Sequence, residues 1–355
     1  MKRLDILKGK GLLDNISIET TSHCTNECYM CPSRNRTIKR GNMNDVVFKK
    51  IINELAEHNY SGLLHLYAQG EPFLDKKIFD RIEYTREKLP KASIRLISNF
   101  VVLDDDLIKK ILTMPLSSLV VSVYALDEKT YENICGKNHF KKVITNLIKF
   151  SKEWAKTQPF MFSVFLIDSE RNKHDSDFIQ YFLEKLPCSE VARMPVYRIR
   201  GINQRERKPQ FFCLNIFSTL KIDINGDMSP CIIDVNNDVS IGNVSTDSIY
   251  ESYNSEKAKQ IRKDLFNNKY KGYCDICDFA EEHKIFYFLL PLPSVARSTL
   301  YSVLDIQPIK GYKRKKRVYN TSKMISEKAK RFDVLFNETD IIETINGLRK
   351  EYKLY

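Results

Sequence analysis

The 355-residue chain lacks the features that would carry it out of a cell or into a bilayer. No segment supplies the roughly 20 uninterrupted apolar residues that a membrane-spanning helix needs. The N-terminus, Met1 to Lys8, has neither an apolar core nor a cleavage signal. A cytoplasmic location is therefore expected. There is no internal repeat and no low-complexity tract, so a solenoid or a compositionally biased linker is excluded. No RNA-binding motif or aromatic stacking platform accompanies the basic segments, so nucleic acid is not the expected partner. Cysteine is present, but nine is an odd number and argues against a disulfide framework. What is there suits a large α/β domain with accessories: 43% of residues are hydrophobic, enough for a sizeable core. The net charge is +12, and residues 278–355, with 15 Lys/Arg against 10 Asp/Glu, hold a disproportionate part of it.

From Ile16 onward, apolar runs of strand type alternate with amphipathic segments. Strands are expected at Ile16–Thr20, Leu63–Tyr67, Ser93–Ser98, Leu119–Tyr124, Phe160–Ile167 and Val191–Arg198. Helices are expected at Val46–His58, Lys77–Leu89, Asp105–Met114, Phe140–Ala155 and Asp177–Leu186, with Pro90 and Pro115 as stops. Strict alternation implies a parallel sheet with right-handed crossovers. Six units suit a partial (β/α)6 barrel, an α/β fold open on one side, over residues 15–205 after a lead-in of 1–14. Ligands gather at the carboxyl ends of such strands. The polar stretch Gly201–Pro209 reads as a linker. A smaller cysteine-bearing module spans 210–280 and contains a hairpin at Asn225-Gly226. A basic extension covers 281–355.

Seven cysteines fall in two arrays. Cys24, Cys28 and Cys31 stand in Ile18-Glu-Thr-Thr-Ser-His-Cys-Thr-Asn-Glu-Cys-Tyr-Met-Cys31, directly after the first strand. Three thiolates can hold three irons of a [4Fe–4S] cube and leave the fourth open to an outside ligand. Zinc fingers pair C-x2-C elements, and plant-type ferredoxins use another spacing with a fourth cysteine. Cys213, Cys231, Cys274 and Cys277 form the second array, which has enough thiolates to close a complete sphere around a cluster or around zinc. Cys135 is left as a loop thiol and Cys188 as a small buried hydrophobe.

The first array resembles the signature of the radical S-adenosylmethionine (SAM) superfamily. Tyr67-Ala-Gln-Gly-Glu-Pro72 resembles the Gly-Gly-Glu-Pro element of that family, with Gln69 in place of the first glycine. The second array, C-x12-G-x4-C and then C-x2-C, resembles the auxiliary-cluster module called SPASM. With no cysteine after Cys277, it is closer to the shorter form, twitch. The resemblance implies two [4Fe–4S] clusters: a SAM-binding one on Cys24, Cys28 and Cys31, and an auxiliary one on Cys213, Cys231, Cys274 and Cys277. It implies SAM as cofactor, with Met30, Gly70, Glu71, Ser98, Asn99 and Ser122 around it. Tyr124 stands where the family often has an acid. It also implies that reductive cleavage of SAM yields a 5′-deoxyadenosyl radical, which removes a hydrogen atom from substrate. An external one-electron reductant such as flavodoxin or ferredoxin is the expected partner. The subgroup often has Arg where Cys135 stands, and a thiol there could return a hydrogen atom to a substrate radical. A fully ligated auxiliary cluster suits electron transfer.

Three functions are expected in turn. The first is dehydrogenation or epimerisation of a sugar-like or aminocyclitol small molecule. Arg193, Arg198 or Arg200 would meet a hydroxyl or phosphate of it, unless they are salt-bridged at the strand ends. The second is peptide or protein modification, disfavoured by the roughly fourteen residues ahead of the first strand. The third is a zinc-stabilised, non-catalytic RNA- or membrane-associated protein. It leaves the first array and Gly70-Glu71 unexplained. The apolar stretch Ile285–Leu304 beside Lys313-Arg-Lys-Lys-Arg317 reads as a packed lid with a solvated charge run, or as a contact with anionic membrane.

Overall fold

The computed structural model describes residues 11–196, 213, 215–267, 269, 274, 318–336 and 340–352. Along the chain run β1 (Asn15–Ile18), α1 (Asp45–Glu57), β2 (Leu63–His65), α2 (Ile78–Lys88), β3 (Ser93–Ser98), α3 (Asp105–Leu112) and β4 (Ser118–Val123). Then come α4 (Glu128–Cys135), α5 (Phe140–Thr157), β5 (Met161–Asp168), α6 (Ser176–Lys185) and β6 (Glu190–Pro195). The remainder holds β7 (Thr219–Ile222), β8 (Asp227–Ser229), β9 (Gly242–Asn243), α7 (Ile249–Tyr253), α8 (Glu256–Phe266), β10 (Val318–Tyr319), α9 (Ser322–Leu335) and α10 (Ile341–Tyr352). Short acceptor side chains set the helix starts. Asn44, Asp104, Asp127 and Ser255 each accept a backbone N–H of the first turn of α1, α3, α4 and α8.

The chain divides into two compact units. The first comprises Met1–Cys24, Met30–Arg95 and Tyr197–Lys313. Its strands lie in the order β3-β2-β1-β7-β8-β9. β1 pairs in parallel with β2 on one side and with β7 on the other. The turn at Asn225-Gly226 is a hairpin as expected, with Gly226 at φ 87°, and β8 returns antiparallel to β7. The strand β7 does more than form a hairpin. It lengthens the parallel sheet beside β1, so the cysteine-bearing module is built onto the strand that carries the first array.

Side chains alternate across this sheet. Ile16, Ile18, Leu64, Ile94, Leu220 and Ile222 are all fully buried on one face. The opposite face is polar. Register aligns Lys221, Ser17, His65 and Arg95 in one row across four strands. Parallel sheets covered on both sides ordinarily read as continuous apolar runs. Here the apolar face makes the core and the other face carries hydrogen-bonding groups.

The second unit comprises Thr25–Tyr29, Leu96–Val196 and Arg314–Tyr355. β4, β5 and β6 are parallel neighbours, and β10 closes the edge antiparallel to β6. An aromatic cluster fills its core: Phe162 lies 4.9 Å from Phe150 and 5.5 Å from Trp154, centroid to centroid. The C-terminal residues are more than a charged extension. Ile325, Phe332, Ile345 and Leu348 are buried, Arg349 pairs with Asp175 at 2.6 Å, and Tyr352 packs on Phe178. The apolar stretch 285–304 and the basic run 313–317 lie outside the described residues. No helix among the described residues is long and apolar enough to cross a membrane.

Candidate cofactor and substrate site

The loop of the first array leaves β1 and is fastened at both of its ends. In the first unit, the Glu71 N–H donates to His23 O at 2.8 Å. Gly70 permits this approach, because a Cβ there would stand 2.2 Å from Thr21 O and 2.9 Å from His23 O. The Glu71 side chain is buried, and its carboxylate accepts the Phe73 N–H at 3.4 Å. Beyond Cys31, Arg40 donates to the carbonyls of Ser22 and Ser33. Arg36 forms an ion pair with the fully buried Glu19 at 2.8 Å. Burial raises the Glu19 carboxyl, and Arg36 opposes that shift.

In the second unit, the middle of the loop lies against the end of α4. Glu27 N–H donates to Cys135 O at 2.8 Å, and Tyr29 N–H donates to Ile134 O at 2.9 Å. Gly136, at φ 71°, caps the helix with its would-be Cβ 2.9 Å from Glu27 O. Arg171 stacks 3.7 Å from the Tyr29 ring centroid. Asn99 donates to Thr25 at 3.1 Å, and its Oδ1 accepts Val101 N–H. Ser98 accepts Phe100 N–H at 3.0 Å, and Ser122 is buried on β4. Met30, in the first unit, is half-buried.

The cysteines differ in setting. Cys24 is exposed, Cys31 half-buried and Cys28 buried. The neighbouring Cys135 thiol, followed by burial, pushes the Cys28 thiol well above the ordinary cysteine range. Cys135 is helical, the last residue of α4, and fully buried. It is not a loop thiol. Cys213 and Cys274 are half-buried, and Cys277, Arg198 and Arg200 lie outside the described residues. Burial pushes the Cys231 thiol up to about 11. A metal ion bound by these thiols would displace their protons and reverse both shifts. Arg193 is buried, with Nε and Nη2 on Asp168 at 2.8 and 3.1 Å and Nη1 on Asp177 at 2.8 Å. This is the salt-bridged alternative for that residue.

Among the described residues, no three His, Cys, Asp or Glu side chains stand close enough together to hold a metal ion. The fold holds the backbone of the first loop, and its donors are three thiols, the chemistry that iron–sulfur clusters take. This donor set fits a cluster with an outside ligand, and Gly70 lets the neighbouring strand end pack against the backbone ahead of Cys24.

Sequence reasoning missed a seam in the first unit between the two cysteine loops. Gln69, the residue in place of a glycine, donates to Ile232 O at 2.6 Å, next to Cys231. Asn236 accepts Thr37 N–H at 2.7 Å and donates to Asn35 O at 2.9 Å. Behind it, the buried Lys221 donates to Asp234 O and to Asn237 Oδ1. The polar sheet face was also missed. Three of its buried atoms, Asn15 Oδ1, Glu19 Oε2 and His65 Nδ1, have no hydrogen-bond partner among the described residues.

Comparison with known proteins accords with this geometry. Residues 18–167 match the model described as Radical SAM superfamily, and residues 213–278 match SPASM, described as an iron-sulfur cluster-binding domain. An S-adenosyl-L-methionine-dependent 2-deoxy-scyllo-inosamine dehydrogenase from Niallia circulans is 21% identical over 267 residues, 75% of this chain and 92% of that protein. The crystal structure of BtrN in complex with AdoMet and 2-DOIA superposes with a TM-score of 0.54 at 17% identity, covering 76% of this chain and 94% of that one. Native anSMEcpe with bound AdoMet and Cp18Cys peptide gives a TM-score of 0.55 at 14% identity, covering 96% and 99%. A membrane contact finds no support in these relatives.

Proposed function

We propose that this chain, a radical SAM enzyme with a SPASM domain, dehydrogenates or epimerises a sugar-like or aminocyclitol small molecule. In this reading Cys24, Cys28 and Cys31 hold the SAM-binding cluster, and Cys213, Cys231, Cys274 and Cys277 hold the auxiliary one. When bound, the clusters and SAM supply one-electron cleavage of SAM, hydrogen-atom abstraction and a route for the substrate's second electron. The protein's own residues orient and exclude water. Glu71 offers a buried carboxylate to the SAM ammonium, and Gly70 fixes the backbone that presents it. On the family resemblance, Ser98, Asn99, Ser122 and Met30 are the further residues proposed to meet SAM.

The observation that carries the substrate class is the polar sheet face. Lys221, Ser17, His65 and Arg95 stand in register, and Asn15 Oδ1, Glu19 Oε2 and His65 Nδ1 are buried without partners among the described residues. Each buried polar atom left unpaired costs about 1–3 kcal/mol. A polar face of this kind favours a ligand rich in O–H and N–H groups over an apolar one. The substrate in the name of the Niallia circulans relative has that chemistry.

The test is anaerobic reconstitution followed by a substrate panel. About eight irons per chain are expected for two four-iron clusters, with SAM cleavage on reduction. The Cys24→Ala, Cys28→Ala, Cys31→Ala variant loses that cleavage. Aminocyclitols and aminosugars should raise 5′-deoxyadenosine formation with an oxidised or inverted product. Turnover confined to peptides would overturn the substrate class, and SAM cleavage by the triple variant would overturn the cluster assignment.

A further inference from the structure

Within the first unit, the loop 231–239 of the second module is braced from inside. Asp234 is fully buried at its centre. Its carboxylate accepts the Ser229 hydroxyl at 2.8 Å, the Asp238 N–H at 2.9 Å and the Val239 N–H at 3.1 Å. The buried Lys221 donates to Asp234 O and Asn237 Oδ1, and Asn237 donates to Asp223 Oδ2 at 2.7 Å. Buried polar groups bonded in such a network hold one geometry.

This stiff loop meets the first array from two sides. Gln69 donates to Ile232 O at 2.6 Å. It directly precedes Gly70 and Glu71, and the Glu71 N–H is bonded to His23 O, next to Cys24. Further along the loop, Asn236 accepts the Thr37 N–H at 2.7 Å and the Thr37 hydroxyl at 3.1 Å, and donates to Asn35 O at 2.9 Å. Asn35 ends the short turn Pro32–Asn35 that follows Cys31. One braced loop is therefore bonded both to the strand end ahead of Glu71 and to the segment behind Cys31.

We infer that Gln69 and Asn236 are positioning residues for the SAM site, and that the loop 231–239 is a bracket that sets the place of Gly70-Glu71 relative to the turn behind Cys31. This rests on the reading of Glu71 and the first array as the SAM site. Neither side chain needs to touch SAM. A carboxylate binds an ammonium best when it is already held where the ammonium arrives, because freedom left to it is lost on binding. Glycine, which stands at this place in the element Gly-Gly-Glu-Pro, has no side chain to make the bond. A bracket works only with both ends fixed. Losing either bond frees the spacing, and losing the second adds little.

The experiment is equilibrium binding of SAM to the anaerobically reconstituted full-length protein and to Gln69→Met, Asn236→Ala and the double variant. Methionine keeps the length of glutamine without the donor. Each single variant is expected to bind SAM about fivefold more weakly, the worth of one hydrogen bond, with its iron content unchanged. The double variant should be no weaker than either single one, and Gln69→Lys, which returns a donor, should recover affinity. Wild-type affinity in both single variants would overturn the inference. So would a double variant whose loss is the product of the single losses, since independent contacts add in free energy. Undiminished SAM binding by the Cys24→Ala, Cys28→Ala, Cys31→Ala variant would instead sink the site assignment beneath it. A second measurement needs neither iron nor SAM. In the protein without clusters, Asn236→Ala should speed amide exchange at Glu71, beyond the Gln69 end of the loop, as well as at Thr37. Faster exchange at Thr37 with Glu71 unmoved would show that the loop transmits nothing, and the bracket fails.

Discussion

His65 shows how much one buried side chain can commit. It stands mid-row on the polar sheet face beside Arg95, and burial, followed by the Arg95 charge, lowers its imidazole to about 3. The ring is therefore neutral at physiological pH and can offer or accept a hydrogen bond without adding charge. An unfolded histidine titrates near about 6.5, so below that pH the unfolded chain takes up a proton that the folded chain refuses. His65 thus supports the fold above about pH 6.5 and loses that support as pH falls toward 3. Replacing it by Gln removes this term. In urea melts, wild type is expected to lose more stability between pH 7 and pH 4 than His65→Gln does. Parallel losses would show that the ring is not held neutral.

At the scale of elements, the seam between the cysteine loops is the testable feature. Gln69→Ala removes the donor to Ile232 O and should cost about 1 kcal/mol locally, read as about fivefold faster amide exchange over residues 231–236. Gln69→Glu should be worse, since a carboxylate would face a carbonyl. Unchanged exchange in both would deny the seam a role. Most elements were legible in the sequence, and Ser93–Ser98 agrees to the residue with β3. Periodicity and caps are local, and these strands and helices obey them. The pairing of β7 with β1 was not legible, because a strand's own pattern does not say which distant strand it will meet. The site divides likewise. Cys24, Cys28, Cys31 and Gly70-Glu71 announce themselves by spacing. The Glu27–Cys135 backbone bond, the Arg193 ion pairs and the Glu19–Arg36 pair depend on crossings that spacing does not encode. The polar face was written in plain alternation, Asn15, Ser17, Glu19, but alternation alone does not say which side is the core.

The whole molecule relies on its C-terminal residues more than their charge suggests. Phe332 on α9 is buried, its ring tilted against that of Phe336 with centroids 4.5 Å apart. Phe332→Ala is expected to cost about 3–5 kcal/mol in denaturant melts, with the iron content of the surviving folded protein unchanged. A cost near zero would mean that α9 is dispensable for the fold. The same wide view bears on how the chain is made. One edge of β1 is filled by β7, some two hundred residues further on. A ribosome adding about 5–20 residues per second needs about 10–40 s to cover that distance. Through that interval the strand ahead of the first cysteine array waits with a bare edge, able to pair with the wrong chain. Metal delivered during synthesis would reach Cys24, Cys28 and Cys31 before their supporting sheet exists. Productive iron loading is thus a matter of timing, and in growing cells slow translation should favour insoluble chains over metallated ones.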